Sequence, residues 1–209
     1  MSELFCETIS VSCKDFSDLV DHTSSIKLFK IKLSSYDNLV TPLSVYLSKE
    51  ELNRSKRYHF RKDKNQFIIC RVLLKFILSQ HTKIPVHDIK IAIDDYKKPF
   101  LVNTNLVCFN ISHSNDYAII AVNNIMSLGV DIEYINEDFG FSEMVKDIYN
   151  SQEINNFLQS NNKANIFFKY WTRKESIVKA AGLGISDYLI EIPATDGKHS
   201  VSKRILNNL

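Results

Sequence analysis

The 209-residue chain has 44% hydrophobic and 24% charged residues, an ordinary globular composition that supports one large or two small domains without disulfides or structural metals. Its formal net charge of +2 gives too weak an overall field for a general nucleic-acid binder. No apolar run approaches the roughly 20 residues needed to span a bilayer. The N-terminus, Met1 to Val11, mixes acids with apolar residues and lacks a basic leader region, so it does not read as a signal peptide. Cys6, Cys13, Cys70 and Cys108 show no Cys-x-x-Cys spacing and no zinc-like cluster; Cys70 and Cys108 lie in apolar runs, as buried thiols do. These features predict a cytoplasmic protein with no membrane or nucleic-acid partner.

Along the chain, Ile26 to Leu33 alternates as a strand does. Ser48 reads as an N-cap with Glu51 closing a capping box, and the helix it opens is basic: Arg54, Lys56, Arg57, then Arg61, Lys62 and Lys64. A second helix is predicted from about Asp63 to Gln80, apolar on nearly all sides and therefore buried. Strands are predicted at Ile89–Ile93, Leu106–Ile111, Tyr117–Val122 and Leu128–Tyr134. Helices follow near Ser142–Tyr149, from Ser151, and from about Lys163 to Ala181, ended by Gly182 and Gly184. Tyr188–Ile192 reads as a short strand, and the polar tail from Asp196 to Leu209 is expected to add little to the core. The halves rhyme weakly, each with a Ser-x-Glu helix start (Ser48, Ser151) and then an apolar helix opening on Asn-x-Phe (Asn65, Asn165). This suggests a duplicated unit with its boundary near Asn124 to Met126.

Several residues suggest chemistry. In Gly129-Val130-Asp131-Ile132-Glu133, a strand would place Asp131 and Glu133 on one face, and two adjacent carboxylates suit Mg²⁺. The plain alternative is a solvent-facing edge strand. Glu175 and Lys179, four apart on a helix, share a face. They form either a surface ion pair worth about 0.3–0.5 kcal/mol or a metal ligand beside a phosphate-neutralising ammonium. Ser112 and His113, at a strand end, can meet an anion, although a lone histidine is more often structural. Lys97 and Lys98 precede Pro99 at a turn, where most lysines are simply solvated.

In order and spacing, Lys98-Pro99, Phe109-Asn110-Ile111-Ser112-His113-Ser114, Gly129-Val130-Asp131-Ile132-Glu133 and Trp171-x-x-Lys174-Glu175-x-x-x-Lys179-x-x-Gly182 resemble the motif series of the Sfp-type 4′-phosphopantetheinyl transferases. Arg57 through Lys75 resembles the basic segment and buried arginine-containing helix that precede those motifs, so the likeness spans roughly residues 45 to 190. The resemblance implies an α+β pseudo-dimer of two similar subdomains, residues 1–125 and 126–209, with the active site in the cleft between them. It implies that Asp131, Glu133 and Glu175 hold Mg²⁺ against the pyrophosphate of coenzyme A, and that Lys179 contacts that pyrophosphate. Ser112 and His113 would bind the 3′-phosphate, with Lys98 near the adenine and 3′-phosphate and Arg54 and Arg57 adding positive charge there. The implied acceptor is a serine of an acidic acyl or peptidyl carrier protein, the implied product 3′,5′-ADP, the implied base Glu175 directly or through a metal-bound water, and the implied state a monomer. Two departures stand out: Lys97 replaces the family's usual glycine, and the chain stops at Leu209 where relatives continue with further strands. A Mg²⁺-dependent nuclease, or a non-catalytic relative that binds coenzyme A or a carrier, are the competing readings. A nuclease does not require the Ser112-His113 loop and Lys98-Pro99.

Overall fold

The computed structural model describes residues 2–6, 26–102, 104, 106–124, 127–182 and 189–201; Cys13, Gly184 and most of the polar tail lie outside them. Mixed helix and sheet make an α+β structure. Strand β1 (Ser2–Cys6) opens it, followed by β2 (Lys27–Lys32), a run of short turns containing α1 (Val40–Leu43), α2 (Lys49–Ser55) and the long α3 (Arg61–Thr82). Hairpin β3 (Ile91–Ile93) and β4 (Pro99–Leu101) leads into β5 (Cys108–Ser114) and β6 (Tyr117–Asn123). The second half holds α4 (Val145–Ile148), α5 (Ser151–Gln159), α6 (Lys163–Ala181) and β7 (Gly197–Val201).

The central sheet has the order β2-β6-β5, antiparallel throughout, with Phe29 opposite Ile120 and Ile111 opposite Ile120 on the other side. Strand alternation gives this sheet two different faces. Phe29, Ile31, Phe109, Ala118, Ile120 and Val122 turn toward Ile69, Leu74, Ile77 and Leu78 of α3 and form the first core. On the other face, Ala121 and Ile119 meet Leu128 and Val130, which begin the second half. The sheet is thus a middle layer between α3 and the second half. The second core is aromatic: Phe141, Tyr149, Phe157, Phe167, Phe168 and Tyr170 gather around α6.

Helix starts follow local chemistry. Ser48 caps α2, with Glu51 returning the bond to the Ser48 N–H, as the sequence predicts. In the second half the cap is Asn150 rather than Ser151: Asn150 Oδ1 accepts from Glu153 N and Glu153 bonds back. Asparagine caps as well as serine, and one residue of shift decides which side chain reaches the N3 amide.

Three other expectations change. Leu128–Tyr134 joins no sheet; side chains of β5 take its backbone amides instead. Leu189–Glu191 is a 3-10 turn, because its carbonyl chain bends to meet a buried lysine (below). The polar tail contributes structure: β7 pairs with β1 along Ser2↔Val201 to Cys6↔Gly197, and Val201 is buried. Backbone pairing needs no apolar side chain, which is why a polar segment can complete a sheet. This pairing also lays the N-terminal strand against the second half, where Cys6 Sγ meets Pro193 O at 3.7 Å.

Candidate active site

The site is organised by β5, whose alternate residues face opposite layers. Asn110, Ser112 and Ser114 point to the second half. Asn110 Oδ1 accepts from Val130 N at 3.0 Å, Ser112 Oγ donates to Asp131 Oδ1 at 2.7 Å, and Ser114 Oγ donates to Glu133 Oε2 at 2.8 Å. Ser114 Oγ also accepts from Tyr134 N at 3.0 Å. These bonds advance in step along both segments, so Val130–Tyr134 runs parallel to β5. Polar residues two apart hold the segment by side chain rather than by ladder. Gly129 lets it press against α6: a Cβ there would stand 2.0 Å from Ser176 O.

Asp131, Glu175 and Lys179 meet at this junction. Lys179 Nζ lies 2.5 Å from Asp131 Oδ1 and 3.2 Å from Ser112 Oγ, so one first-half hydroxyl and two second-half charges share a cluster. Asp131 Oδ2 and Glu175 Oε1 are buried and have no hydrogen-bond partner among the described residues. Burial raises the Glu175 pKa above the ordinary carboxylate value; Lys179 opposes the rise, and Asp131 and Glu133 add to it. Glu133 is exposed at the edge. Among the described residues no three acids, histidines or cysteines stand close enough together to form a ready-made metal cluster.

The opposite face of β5 borders a cavity of about 360 Å³ lined by Ile111 and His113, by Arg54, Asp63, Phe67, Cys70 and Arg71 of the helical layer, and by Lys97 and Pro99. Desolvation holds the His113 imidazole below its ordinary pKa, with the Lys179 charge acting the same way; its own backbone hydrogen bond, Glu133 and Asp63 act upward. The structure therefore separates neighbours: Ser112 faces the acids and His113 faces the cavity. Lys98 faces neither. Its Nζ donates to Ser127 Oγ at 2.8 Å and to Ala180 O at 2.7 Å, capping the C-terminus of α6 and tying the halves together. Burial lowers its pKa. Arg57 is exposed at the end of α2, beyond the cavity lining.

Sequence reasoning gave no role to Asn110 and Ser114 individually, although polar residues at every second position of β5 were a signal.

A family model described as 4′-phosphopantetheinyl transferase, N-terminal, matches residues 35–125, and one described as 4′-phosphopantetheinyl transferase superfamily matches residues 127–206. The chain is 30% identical over 169 residues to the 4′-phosphopantetheinyl transferase HetI of Nostoc, covering 78% of this chain and 71% of that protein. It is 35% identical over 147 residues to the 4′-phosphopantetheinyl transferase gsp of Aneurinibacillus migulanus, covering 68% and 59%. To the 4′-phosphopantetheinyl transferase Sfp of Bacillus subtilis it is 26% identical over 143 residues, covering 68% and 62%. The chain thus spans less than two thirds of the length of the last two relatives.

Proposed function

This chain belongs to the 4′-phosphopantetheinyl transferase superfamily, and from that premise we propose that it transfers the 4′-phosphopantetheine arm of coenzyme A to a serine of an acyl or peptidyl carrier protein, releasing 3′,5′-ADP. It acts as a cytoplasmic monomer on an acidic carrier domain. The observation that carries this reading is the junction where Ser112, Asp131 and Lys179 meet beside two buried carboxylate oxygens without hydrogen-bond partners among the described residues.

Those oxygens fit Mg²⁺, which takes one or two protein carboxylates and fills its shell with water and phosphate. Asp131, Glu133 and Glu175 would hold the ion, and its charge would neutralise the pyrophosphate of coenzyme A. Lys179, already tethered to Asp131, adds a positioned ammonium for the same phosphates. Glu175 is the proposed base. It takes the proton of the carrier serine as the serine oxygen attacks the β-phosphate, and the bond to 3′,5′-ADP breaks. Arg54, Arg57 and His113 supply positive charge and hydrogen bonds for the nucleotide end. Ser112 bonds to Asp131 and Lys98 to the end of α6, so both brace the elements around the site.

The pseudo-dimer reading, with its site in the cleft, is supported by a repeated device: in each half a capping-box glutamate, Glu51 or Glu153, reaches a buried lysine of the next long helix, Lys75 or Lys174.

The test is mass spectrometry of an apo-carrier incubated with coenzyme A, Mg²⁺ and the protein. The wild type should add the phosphopantetheine arm, and Asp131→Ala, folded normally, should slow transfer by about a hundredfold or more, the scale for loss of a major electrostatic group. A folded wild type that adds no arm would favour the non-catalytic relative. Normal turnover by Asp131→Ala at saturating Mg²⁺ would remove Asp131 from the site.

A further inference from the structure

Lys179 meets two demands with one ammonium. Its Nζ stands 2.5 Å from Asp131 Oδ1 and 3.2 Å from Ser112 Oγ, and Ser112 Oγ donates to the same Asp131 oxygen at 2.7 Å, so the three groups close a ring. The Asp131 side chain is only 3% exposed. A carboxylate so nearly removed from water needs a counter-charge, and Lys179 supplies it. Asp131 Oδ2 and Glu175 Oε1, both buried, have no hydrogen-bond partner among the described residues. The junction therefore balances one ammonium against carboxylates that still have oxygens to offer.

The two donors of the ring differ in freedom. Ser112 sits inside β5, where it lies opposite Ile119 of β6 and is buried. The Lys179 side chain is 30% exposed, and a lysine carries its charge on a flexible four-carbon stem. The backbone beneath it is pinned. Ala180 O accepts from Lys98 Nζ and from Ser127 Oγ, each at 2.7 Å. A Cβ on Gly129 would stand 2.4 Å from Ala180 N and 3.0 Å from the Lys179 carbonyl carbon, so α6 and the 128–134 segment are already in close contact. Movement at this junction belongs to the lysine side chain. Ser112 can go on holding Asp131 Oδ1 after the ammonium leaves, which keeps the carboxylate aimed.

An ammonium on Asp131 Oδ1 and a divalent ion on Oδ2 would stand across one carboxylate and repel each other. A pyrophosphate beside the junction resolves that conflict, because it offers the ammonium another anionic partner.

We propose that Lys179 is the resident counter-cation of Asp131 and that it couples the metal to the donor. Whichever of the divalent ion and the pyrophosphate binds first must release the Lys179–Asp131 bond, and the second then binds without that cost. The inference rests on the reading that Asp131 takes the metal and that the donor is coenzyme A. Its consequence is a positive coupling, equal in both directions, of which the strength of the Lys179–Asp131 bond is one part.

Mn²⁺ accepts the same oxygen ligands as Mg²⁺, and its titration, read by the paramagnetic resonance of the free ion, tests this on the full chain alone and with saturating coenzyme A. The wild type should bind Mn²⁺ more tightly when coenzyme A is present. Lys179→Met should bind Mn²⁺ alone roughly ten- to a hundredfold more tightly than the wild type, the range for one charged hydrogen bond. In that variant the gain brought by coenzyme A should shrink by a similar factor. Lys179→Gln, which can still donate a neutral hydrogen bond to Asp131, should fall between the two, and it keeps the proposal exposed where Lys179→Met fails to fold. A lysine that stays where it is predicts the same coenzyme A gain in wild type and variants. That result, or Mn²⁺ affinity without coenzyme A that is no higher in the folded variants, would overturn the coupling and leave the metal site intact. A folded wild type that binds no Mn²⁺ under either condition would overturn both.

Discussion

In the first half, Glu51 closes the capping box of α2 and stands 3.5 Å from Lys75 Nζ; in the second, Glu153 closes that of α5 and stands 2.8 Å from Lys174 Nζ. Both lysines also donate to carbonyls, Lys75 to Tyr46 O and Lys174 to Leu189 O and Ile192 O. The settings differ. Glu51 is partly exposed and shared with Arg71, whereas Glu153 and Lys174 are completely buried and Glu153 also accepts from Ala194 N. One device thus serves two purposes. In the second half it seals an aromatic core and bends the 189–194 segment into place. In the first half it is looser, because the same glutamate is divided between Lys75 and Arg71 and lies partly exposed.

The sharpest way to break this comparison is Lys174→Met. It leaves a fully buried carboxylate without its cation, so unfolding free energy should fall by about 3–5 kcal/mol, read from urea denaturation. Adding Glu153→Gln should recover part of the loss, and no recovery would mean that Lys174 matters for its carbonyl contacts instead. Gly129→Ala probes the contact between the 128–134 segment and α6. Its Cβ would strike the α6 backbone at Ser176 O, and overpacking of this kind costs about 1–3 kcal/mol. An unfolding midpoint equal to wild type would show that α6 moves freely away from β5.

Lys75→Met should cost less than its counterpart, about 1.5 kcal/mol for one hydrogen bond from a charged group. A loss as large as that of Lys174→Met would make the two clasps equivalent. The last effect is one of pH. Burial pushes the Cys70 thiol from its usual 9.0 up to about 12, so the folded chain keeps this proton longer than the unfolded one. The resulting stability is complete below about pH 9 and is lost as pH rises toward 12, by about 1.4 kcal/mol per pH unit. Cys70→Ala should therefore show a shallower decline than wild type in unfolding free energy between pH 9 and 10.5; parallel slopes would contradict the thiol's role.

Much of the frame was legible in local pattern. The Ser48–Glu51 box, the all-round apolar face of α3 and the Gly182 stop of α6 are short-range signals, and each element lies close to its sequence-predicted span. The Asp131, Glu175 and Lys179 pattern also stood out, because strand and helix periods fix which residues share a face. Position 97 was visible as a departure, without its consequence.

What the sequence by itself determined was therefore the set of elements and the residue types able to do chemistry, since both depend on neighbours a few residues away. Only the tertiary structure decided how those residues divide. It set Ser112 and His113 on opposite sides of one strand, sent Lys98 to the end of α6, drew β7 onto β1 and placed Arg71, with its Nη1 lacking a hydrogen-bond partner among the described residues, beside a cavity. Each of these depends on which layer covers which face, and layer packing is set by contacts between segments tens of residues apart, which no local period records.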